Sequence, residues 1–117
     1  MKRFDVSVRG AGAVGRSLAL ALSRQGLQVA LQGQAVVPAG PDVRAYALNA
    51  GAVALLAELR VWDALPPDAA TAVYDMHIEG DRLGAALHFS AWDQGLETLT
   101  WIVDAGALNE ALDSALR

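Results

Sequence analysis

The chain has 117 residues, with 13 acidic against 9 basic side chains and a formal charge of −4. This acidic balance argues against a nucleic-acid-binding protein, which needs a basic face toward the phosphates. Because there is no cysteine, disulfides and thiolate metal sites are excluded, and the composition fits a cytoplasmic protein. Hydrophobic residues make up 54% of the chain, enough for the core of one domain. We expect neither a signal peptide nor a membrane span, since Arg9 and Arg16 interrupt the only long apolar region.

The first third of the chain has the pattern of a strand, a helix and a second strand. Phe4–Val8 is a short apolar run, typical of a strand buried on both faces. Apolar residues then recur at helical spacing over Ala13–Gln25, and Gly26 supplies a left-handed helix end. Leu27–Leu31 predicts the second strand, and the prolines of residues 34–43 predict a loop after it. Together these elements predict a βαβ unit.

The middle of the chain predicts a helix followed by a hairpin. A helix is expected from about Asn49, as N-cap, to Leu59, with two prolines ending the segment after it. Polar and apolar residues alternate over Val73–Glu79, the stretch "GDRLG" turns the chain, and Ala85–Phe89 returns as the second strand.

The end of the chain predicts one more strand, "ETLTWIVD", and a last helix. The apolar positions of that helix are Leu108, Ala111, Leu112 and Ala115. In a βαβ architecture such a helix returns the chain to the sheet. We therefore expect this apolar stripe to be uncovered and the sequence to stop in the middle of a domain.

Three glycines follow the first predicted strand with the spacing G-x-G-x-x-G. Gly10 permits the sharp turn out of the strand, Gly12 lets a pyrophosphate approach bare backbone, and Gly15 lets the helix lie close to the strand. The helix N-terminus supplies amide donors to an anion. In this strand–turn–helix–strand context the motif indicates a dinucleotide site, the alternative being a tight turn without a ligand.

The second strand lacks the acidic residue that usually holds the ribose hydroxyls. Gln32 and Gln34 lie where a carboxylate would be sought, and a glutamine bonds a hydroxyl without the strength of a charge. We expect this to weaken nucleotide binding. NADP is not favoured, because no Arg or Lys lies nearby to hold a 2′-phosphate.

Two further groups of side chains have alternative interpretations. The short hairpin turn places His77 opposite His88, with Asp75 and Glu79 on the same face. This is a solvated polar face, with a metal site as the less favoured alternative. The tryptophans are expected to pack in the core rather than stack on a ring ligand, and they are Trp62, Trp92 and Trp101.

Three stretches, "GAGAVGRSLALAL", "DVRAYALNAGAVALLAELRVWDAL" and "LTWIVDAGALNEAL", carry a more specific signal. In order and spacing they resemble the N-terminal portion of the flavin-dependent aromatic hydroxylases of ubiquinone biosynthesis, class A flavoprotein monooxygenases related to para-hydroxybenzoate hydroxylase. The resemblance implies an α/β fold: a partial Rossmann-like FAD-binding domain with a βαβ start and an inserted β-hairpin from the substrate-sheet region. It divides this single incomplete domain into residues 1–65 (βαβ and helix), 66–103 (hairpin and strand) and 104–117 (C-terminal helix).

The resemblance also assigns residues to the cofactor FAD. Arg44 corresponds to the family arginine near the FAD phosphates, whereas composition alone favours a solvated loop arginine. The other implied FAD-binding residues are Gly10, Gly12, Ala13, Val14, Gly15 and Gln32. No residue is implied to be catalytic, and no metal is implied.

The chain departs from the family pattern at several positions. Arg60 stands where the family typically has glycine, and Asp104 followed by Ala105 stands where the family often has a polar residue near the flavin ribityl chain. The motifs that complete the flavin site lie beyond position 117 in the family. The complete relatives use NAD(P)H and O₂ to hydroxylate an electron-rich ring.

We therefore expect the N-terminal FAD-binding part of an aromatic-ring monooxygenase, inactive alone and binding FAD weakly or not at all. A first alternative is a non-catalytic module that pairs with itself or another protein through an uncovered sheet edge and its last helix. A second alternative is a small NAD-binding protein.

Overall fold

The computed structural model describes residues 3–33 and 42–117 of the chain. Gln34 and most of the predicted proline loop, residues 34–41, therefore lie outside the described residues. The remaining elements, in chain order, are β1 (Val6–Arg9), α1 (Ala13–Arg24), β2 (Val29–Gln32), β3 (Ala45–Leu48), α2 (Ala50–Glu58), a 3-10 turn (Trp62–Ala64), β4 (Ala70–Val73), β5 (Asp75–Glu79), β6 (Ala86–Ser90), β7 (Thr100–Asp104) and α3 (Ala105–Leu116).

The first three elements form the expected βαβ unit. β1 and β2 are parallel, with Val6 opposite Val29 and Arg9 opposite Gln32, and α1 connects them. The first strand begins later than expected, because Phe4 is half exposed and outside the ladder. The mixed α/β arrangement expected for a partial Rossmann-like domain is confirmed.

A second sheet has the strand order β3-β7-β4, and both of its pairings are antiparallel. β7 is the predicted strand "ETLTWIVD", shortened to its last five residues. The segment expected as one strand from Val73 to Glu79 is two strands, which Tyr74 separates: Val73 ends β4, and Asp75 begins β5. β3 was not predicted from the sequence.

The third sheet is the predicted hairpin of β5 and β6, with His77 directly opposite His88. Its apolar face carries two cross-strand pairs, Met76 with Phe89 and Ile78 with Leu87. All four of these side chains are more than a third exposed. Among the described residues, this apolar face is therefore uncovered, although a two-stranded sheet is at best marginally stable alone.

The core lies between the helices and the three-stranded sheet. Its buried side chains are Leu20, Leu56, Leu59, Val61, Val103, Leu108, Ala111 and Leu112. Trp62 and Trp101 pack against this cluster with their rings edge to face, 5.4 Å between centroids, as expected for core aromatics. Trp92 is different: it is 90% exposed, so the expectation that it packs in the core is wrong.

The last helix is covered, which corrects the expectation of an exposed stripe. Leu108 and Leu112 on α3 are almost fully buried, and α3 packs against α1. Arg16 of α1, itself buried, reaches across to α3, where Nη1 lies 3.1 Å from Oδ1 of Asp113 and donates to the carbonyl oxygen of Asn109. The sequence pattern could not show this, because the partner is a helix 93 residues away rather than a following strand.

Candidate functional site

The glycine turn begins where β1 ends. Gly10 has φ +112°, a conformation that side-chain-bearing residues rarely adopt. Its N–H donates to the carbonyl oxygen of Gln32 at the end of β2, over 2.7 Å. The turn is therefore anchored to the second strand as well as the first.

Gly15 sets how closely α1 approaches the turn. A Cβ atom built on Gly15 would lie 1.8 Å from the carbonyl oxygen of Gly10 and 3.7 Å from Cγ1 of Val8. The first distance is a severe clash with backbone that cannot rotate away. Only glycine fits here, which agrees with the packing role that the motif gives its third glycine.

Unlike Gly15, Gly12 has free space beside its α-carbon. No heavy atom lies within 4 Å of a Cβ built on Gly12, and its φ of −80° and ψ of −171° suit any residue. Gly12 is the N-cap of α1, where no side chain caps the helix and the first turn has no acidic residue. The first amides, at Ala13, Val14 and Gly15, have no helical acceptor and no acidic side chain in their own turn, an arrangement that suits an anion.

Gly33 lies at the same corner as the turn; together, Gly10, Gly12, Gly15 and Gly33 form what we call the glycine cradle. Gly33 was not predicted as a site residue from the sequence. It has φ +150°, and a Cβ built on it would lie 2.8 Å from the backbone nitrogen of Ala11. The end of β2 therefore packs against the turn through bare backbone. A glycine two residues after the second predicted strand was the available signal. Gln32 beside it is exposed at the strand end, within the same corner.

Arg44 lies immediately before β3, away from the glycine turn along the chain. Its guanidinium forms a two-pronged ion pair with Asp42: Nε donates to Oδ1 over 3.0 Å, and Nη2 donates to Oδ2 over 2.8 Å. Of the hydrogen bonds among the described residues, none joins Arg44 to the turn. The structure thus brings Gly10, Gly12, Gly15 and Gln32 together, whereas among the described residues the hydrogen bonds of the Arg44 side chain are with Asp42.

The ion pair shifts the titration of both partners. The hydrogen bonds and charge of Arg44 lower the pKa of Asp42 from 3.8 to about 2. The Asp42 carboxylate in turn raises the pKa of Arg44 above its already high value. Both groups are therefore charged at neutral pH, and the pair as a whole is neutral.

Asp104, at the position that the family resemblance placed near the ribityl chain, caps α3. Its carboxylate accepts the N–H of Gly106 over 3.0 Å. The neighbouring Ala105 N–H donates to the Arg44 carbonyl oxygen over 3.1 Å. In this structure Asp104 therefore acts at the helix end rather than as a free polar group.

The histidine pair lies on the polar face of the hairpin, as predicted. The ring centroids of His77 and His88 are 5.3 Å apart, and Nε2 of His88 lies 3.6 Å from Oδ1 of Asp75. Over residues 3–33 and 42–117, no group of three or more histidine, aspartate or glutamate side chains is placed to hold a metal ion. A shallow open cleft of about 280 Å³ lies elsewhere, against Trp62, Trp101 and the two prolines that follow the 3-10 turn.

The fold and the glycine cradle define one class of protein part: a βαβ unit whose first strand passes into its helix through a glycine-lined turn. No family model matches the chain. The chain is 39% identical to the 3-demethoxyubiquinol 3-hydroxylase of Escherichia coli (strain K12) over 66 residues, 52% of this chain and 17% of that protein.

Three solved structures share the fold of this chain. A p-nitrophenol 4-monooxygenase from Pseudomonas putida DLL-E4 is 22% identical, with a TM-score of 0.67 over 96% of this chain and 29% of its own. A flavoprotein/dehydrogenase from Cytophaga hutchinsonii is 23% identical, with a TM-score of 0.69. The match covers 99% of this chain and 28% of that protein. A probable FAD-dependent monooxygenase from Pseudomonas aeruginosa is 20% identical, with a TM-score of 0.69. The match covers 98% of this chain and 30% of that protein.

These comparisons confirm the resemblance to FAD-dependent aromatic hydroxylases of the ubiquinone-biosynthesis type. The chain spans 17% of the length of the curated relative and at most 30% of these three structures. It therefore matches a part of such proteins. Among the described residues, no helix is long and apolar enough to cross a membrane.

Proposed function

We propose that this chain is the N-terminal FAD-binding part of an aromatic-ring monooxygenase of the ubiquinone-biosynthesis type. The glycine cradle is the observation that carries the proposal. Its corner is built from bare backbone at Gly10, Gly12 and Gly33, and Gly15 brings the uncapped start of α1 against it. Such a cradle fits the pyrophosphate of a dinucleotide.

Each residue of the proposed site binds a part of FAD. The amides of Gly12, Ala13, Val14 and Gly15 would hold the pyrophosphate, and Gln32 would hold a ribose hydroxyl through its amide group. The Arg44 guanidinium would hold a phosphate oxygen. When bound in a complete relative, FAD supplies the reduction by NAD(P)H and the activation of O₂ for ring hydroxylation.

Two features predict that this chain alone binds FAD weakly. Gln32 replaces a carboxylate, so the ribose contact loses charge assistance. Arg44 enters the site already neutralised by Asp42. We expect a dissociation constant of about 0.1–1 mM, which corresponds to a binding free energy of only about 4–5.5 kcal/mol.

The test is a titration of the ¹⁵N-labelled chain with FAD, observed by the amide signals of the turn. We expect saturable shifts at Gly12, Ala13 and Gly15. Gly12→Ala should abolish them without unfolding the chain, because a Cβ at Gly12 meets no atom but occupies the anion's space. Gln94→Ala, an exposed change in another loop, is the matched control.

Two results would contradict parts of this proposal. The first is stoichiometric FAD in the purified chain, which would contradict the expected weak binding. The second is the absence of any shift at millimolar FAD, which would leave the motif as a turn without a ligand. Parallel titration with NAD distinguishes the small NAD-binding protein, since that alternative predicts tighter binding of NAD than of FAD.

A second candidate function is a non-catalytic interaction module. The observation that favours it is the uncovered apolar face of the hairpin: Met76, Ile78, Leu87 and Phe89. The free sheet edges remain part of this proposal, whereas the buried stripe of α3 does not. Sedimentation at several concentrations tests it. A mass that stays monomeric in the chain, and is unchanged in Ile78→Ser, would contradict self-association.

We also propose a cytoplasmic location, supported by the absence of cysteine. The division into residues 1–65, 66–103 and 104–117 is retained as a proposal. In the structure β3, from the first segment, pairs with β7 from the second, so these segments share a sheet.

A further inference from the structure

Among the described residues, the Arg44 guanidinium is held by one edge only. Asp42 accepts from Nε and from one hydrogen of Nη2. A guanidinium carries five N–H donors, so both hydrogens of Nη1 and one of Nη2 remain for another acceptor. These lie at the outer end of a side chain that is 59% exposed. The fork with Asp42 therefore leaves a phosphate-binding edge facing solvent.

Asp42 is itself fixed in place. Its side chain is only 11% exposed, and Oδ1 also accepts the backbone N–H of Arg44 over 3.1 Å. A Cβ built on Gly106 would lie 3.6 Å from Cβ of Asp42, which shows that Asp42 packs against the first turn of α3. A carboxylate anchored in this way can orient a long, flexible side chain.

The backbone under Arg44 is fixed by the same helix end. The Arg44 carbonyl oxygen accepts the N–H of Ala105, and the next residue, Ala45, pairs with Asp104 across the β3–β7 ladder. The base of the arginine and its carboxylate partner are thus both attached where β7 passes into α3.

We propose that Asp42 is a positioning residue for the cofactor: it holds the Arg44 guanidinium with its Nη1/Nη2 edge free to receive a phosphate of the dinucleotide. This inference rests on the proposed function, because it takes Arg44 as a ligand of FAD. Asp42 contributes by removing the rotational freedom of Arg44 before binding, which otherwise opposes affinity. Its charge acts in the opposite direction, since a carboxylate repels phosphate.

The two effects predict opposite results for Asp42→Ala. If orientation dominates, as we propose, FAD affinity falls about three- to tenfold, the cost of immobilising one long side chain. If charge repulsion dominates, affinity rises. Asp42→Asn separates them further, because it keeps one acceptor and removes the charge: orientation predicts a partial loss of affinity, and repulsion predicts a gain.

The experiment is an FAD titration of the whole chain by amide shifts, with the Arg44 Nε–Hε signal as a second readout. Asp42→Ala should broaden or shift that signal before FAD is added, and Asp42→Glu should restore part of the affinity. Asp81→Ala, at the hairpin tip, removes the same charge elsewhere and should leave the affinity unchanged. In an Arg44→Gln background, Asp42→Ala should no longer lower the affinity, because only the repulsion between the Asp42 charge and the phosphate is left to remove.

An unchanged or increased affinity in Asp42→Ala would overturn this inference while leaving the proposed function intact. So would an equal loss with and without Arg44, because Asp42 would then act independently of the arginine. By contrast, if the unaltered chain shows no FAD-dependent shifts at the glycine turn, the proposed function itself fails. The two failures are therefore distinguishable in one set of titrations.

Discussion

Replacing Arg60 by glycine is expected to stabilise the protein. Arg60 has φ +63°, the only positive φ of a non-glycine residue among the described residues, and follows Leu59, the C-cap of α2. Its N–H donates to the Ala57 carbonyl oxygen, and the N–H of Val61 donates to that of Leu56. This is the Schellman ending of a helix, in which the left-handed residue is usually glycine.

The magnitude follows from two opposing terms. A left-handed conformation costs an L-residue about 1–2 kcal/mol, which glycine avoids. Glycine loses about 0.5–1 kcal/mol more conformational entropy on folding. The net effect of Arg60→Gly is therefore a gain of about 0.5–1 kcal/mol in the free energy of unfolding. For a domain of this size that corresponds to about 2–5 °C in Tm.

Urea and thermal unfolding of Arg60→Gly and Arg60→Ala measure this difference. Alanine removes the same exposed side chain but keeps the left-handed penalty, so Arg60→Ala should differ little from the unaltered chain. The gain should appear in glycine alone. A glycine variant no more stable than the alanine variant would refute the reasoning, because the strain inferred from φ would then be absent.

Three further changes test the packing and the ion pairs. Asp113→Ala should lower the free energy of unfolding by about 1–2 kcal/mol, more than Arg16→Met does, because it leaves the buried charge of Arg16 without its carboxylate. In Arg16→Met, by contrast, the half-exposed Asp113 regains water. Urea unfolding of both variants measures the two losses, and equal losses would contradict this reasoning. Asn49→Ala should cost about 1 kcal/mol in the same assay by removing the N-cap of α2, and no loss would show that the cap is dispensable. The pKa of Asp42 should be about 2 by NMR, and Arg44→Gln should return it toward 3.8. Because the pKa in the folded state is depressed, the pair stabilises the fold above the unfolded pKa, and this stabilisation is lost as pH falls toward 2. A pKa of Asp42 that is not shifted would contradict the ion pair.

The parts of the fold set by neighbouring residues could be predicted from the sequence. The turn from β1 into α1 needs glycine at Gly10 for its φ and at Gly15 for its close approach, and both requirements appear in the spacing of the motif. The hairpin register follows from its short turn, which correctly placed His77 opposite His88. The helix start at Asn49 was visible because its side chain caps the amide three residues on.

The parts set by distant residues could not be predicted. β3 is four residues long and runs directly into a helix, so its strand conformation depends on pairing with β7, more than fifty residues later. The cover over α3 likewise depends on α1 and on Arg16, which composition alone marks as a surface residue. The prediction for Trp92 was wrong for a different reason: a large aromatic ring favours burial, but Trp92 lies in the turn after β6, where it is exposed.

The proposed cofactor site divides along the same line. The cradle for the pyrophosphate is local: two glycines of one turn and Gly33 at the adjoining strand end form it through backbone alone, so it persists wherever the βαβ unit folds. The Arg44 edge is not local, because Arg44 and its partner Asp42 are both attached to the junction of β7 with α3, about sixty residues later. A change in the packing of α3 should therefore reduce binding through Arg44 while leaving the glycine cradle intact. Loss of phosphate affinity and loss of the fold are thus separable in this chain.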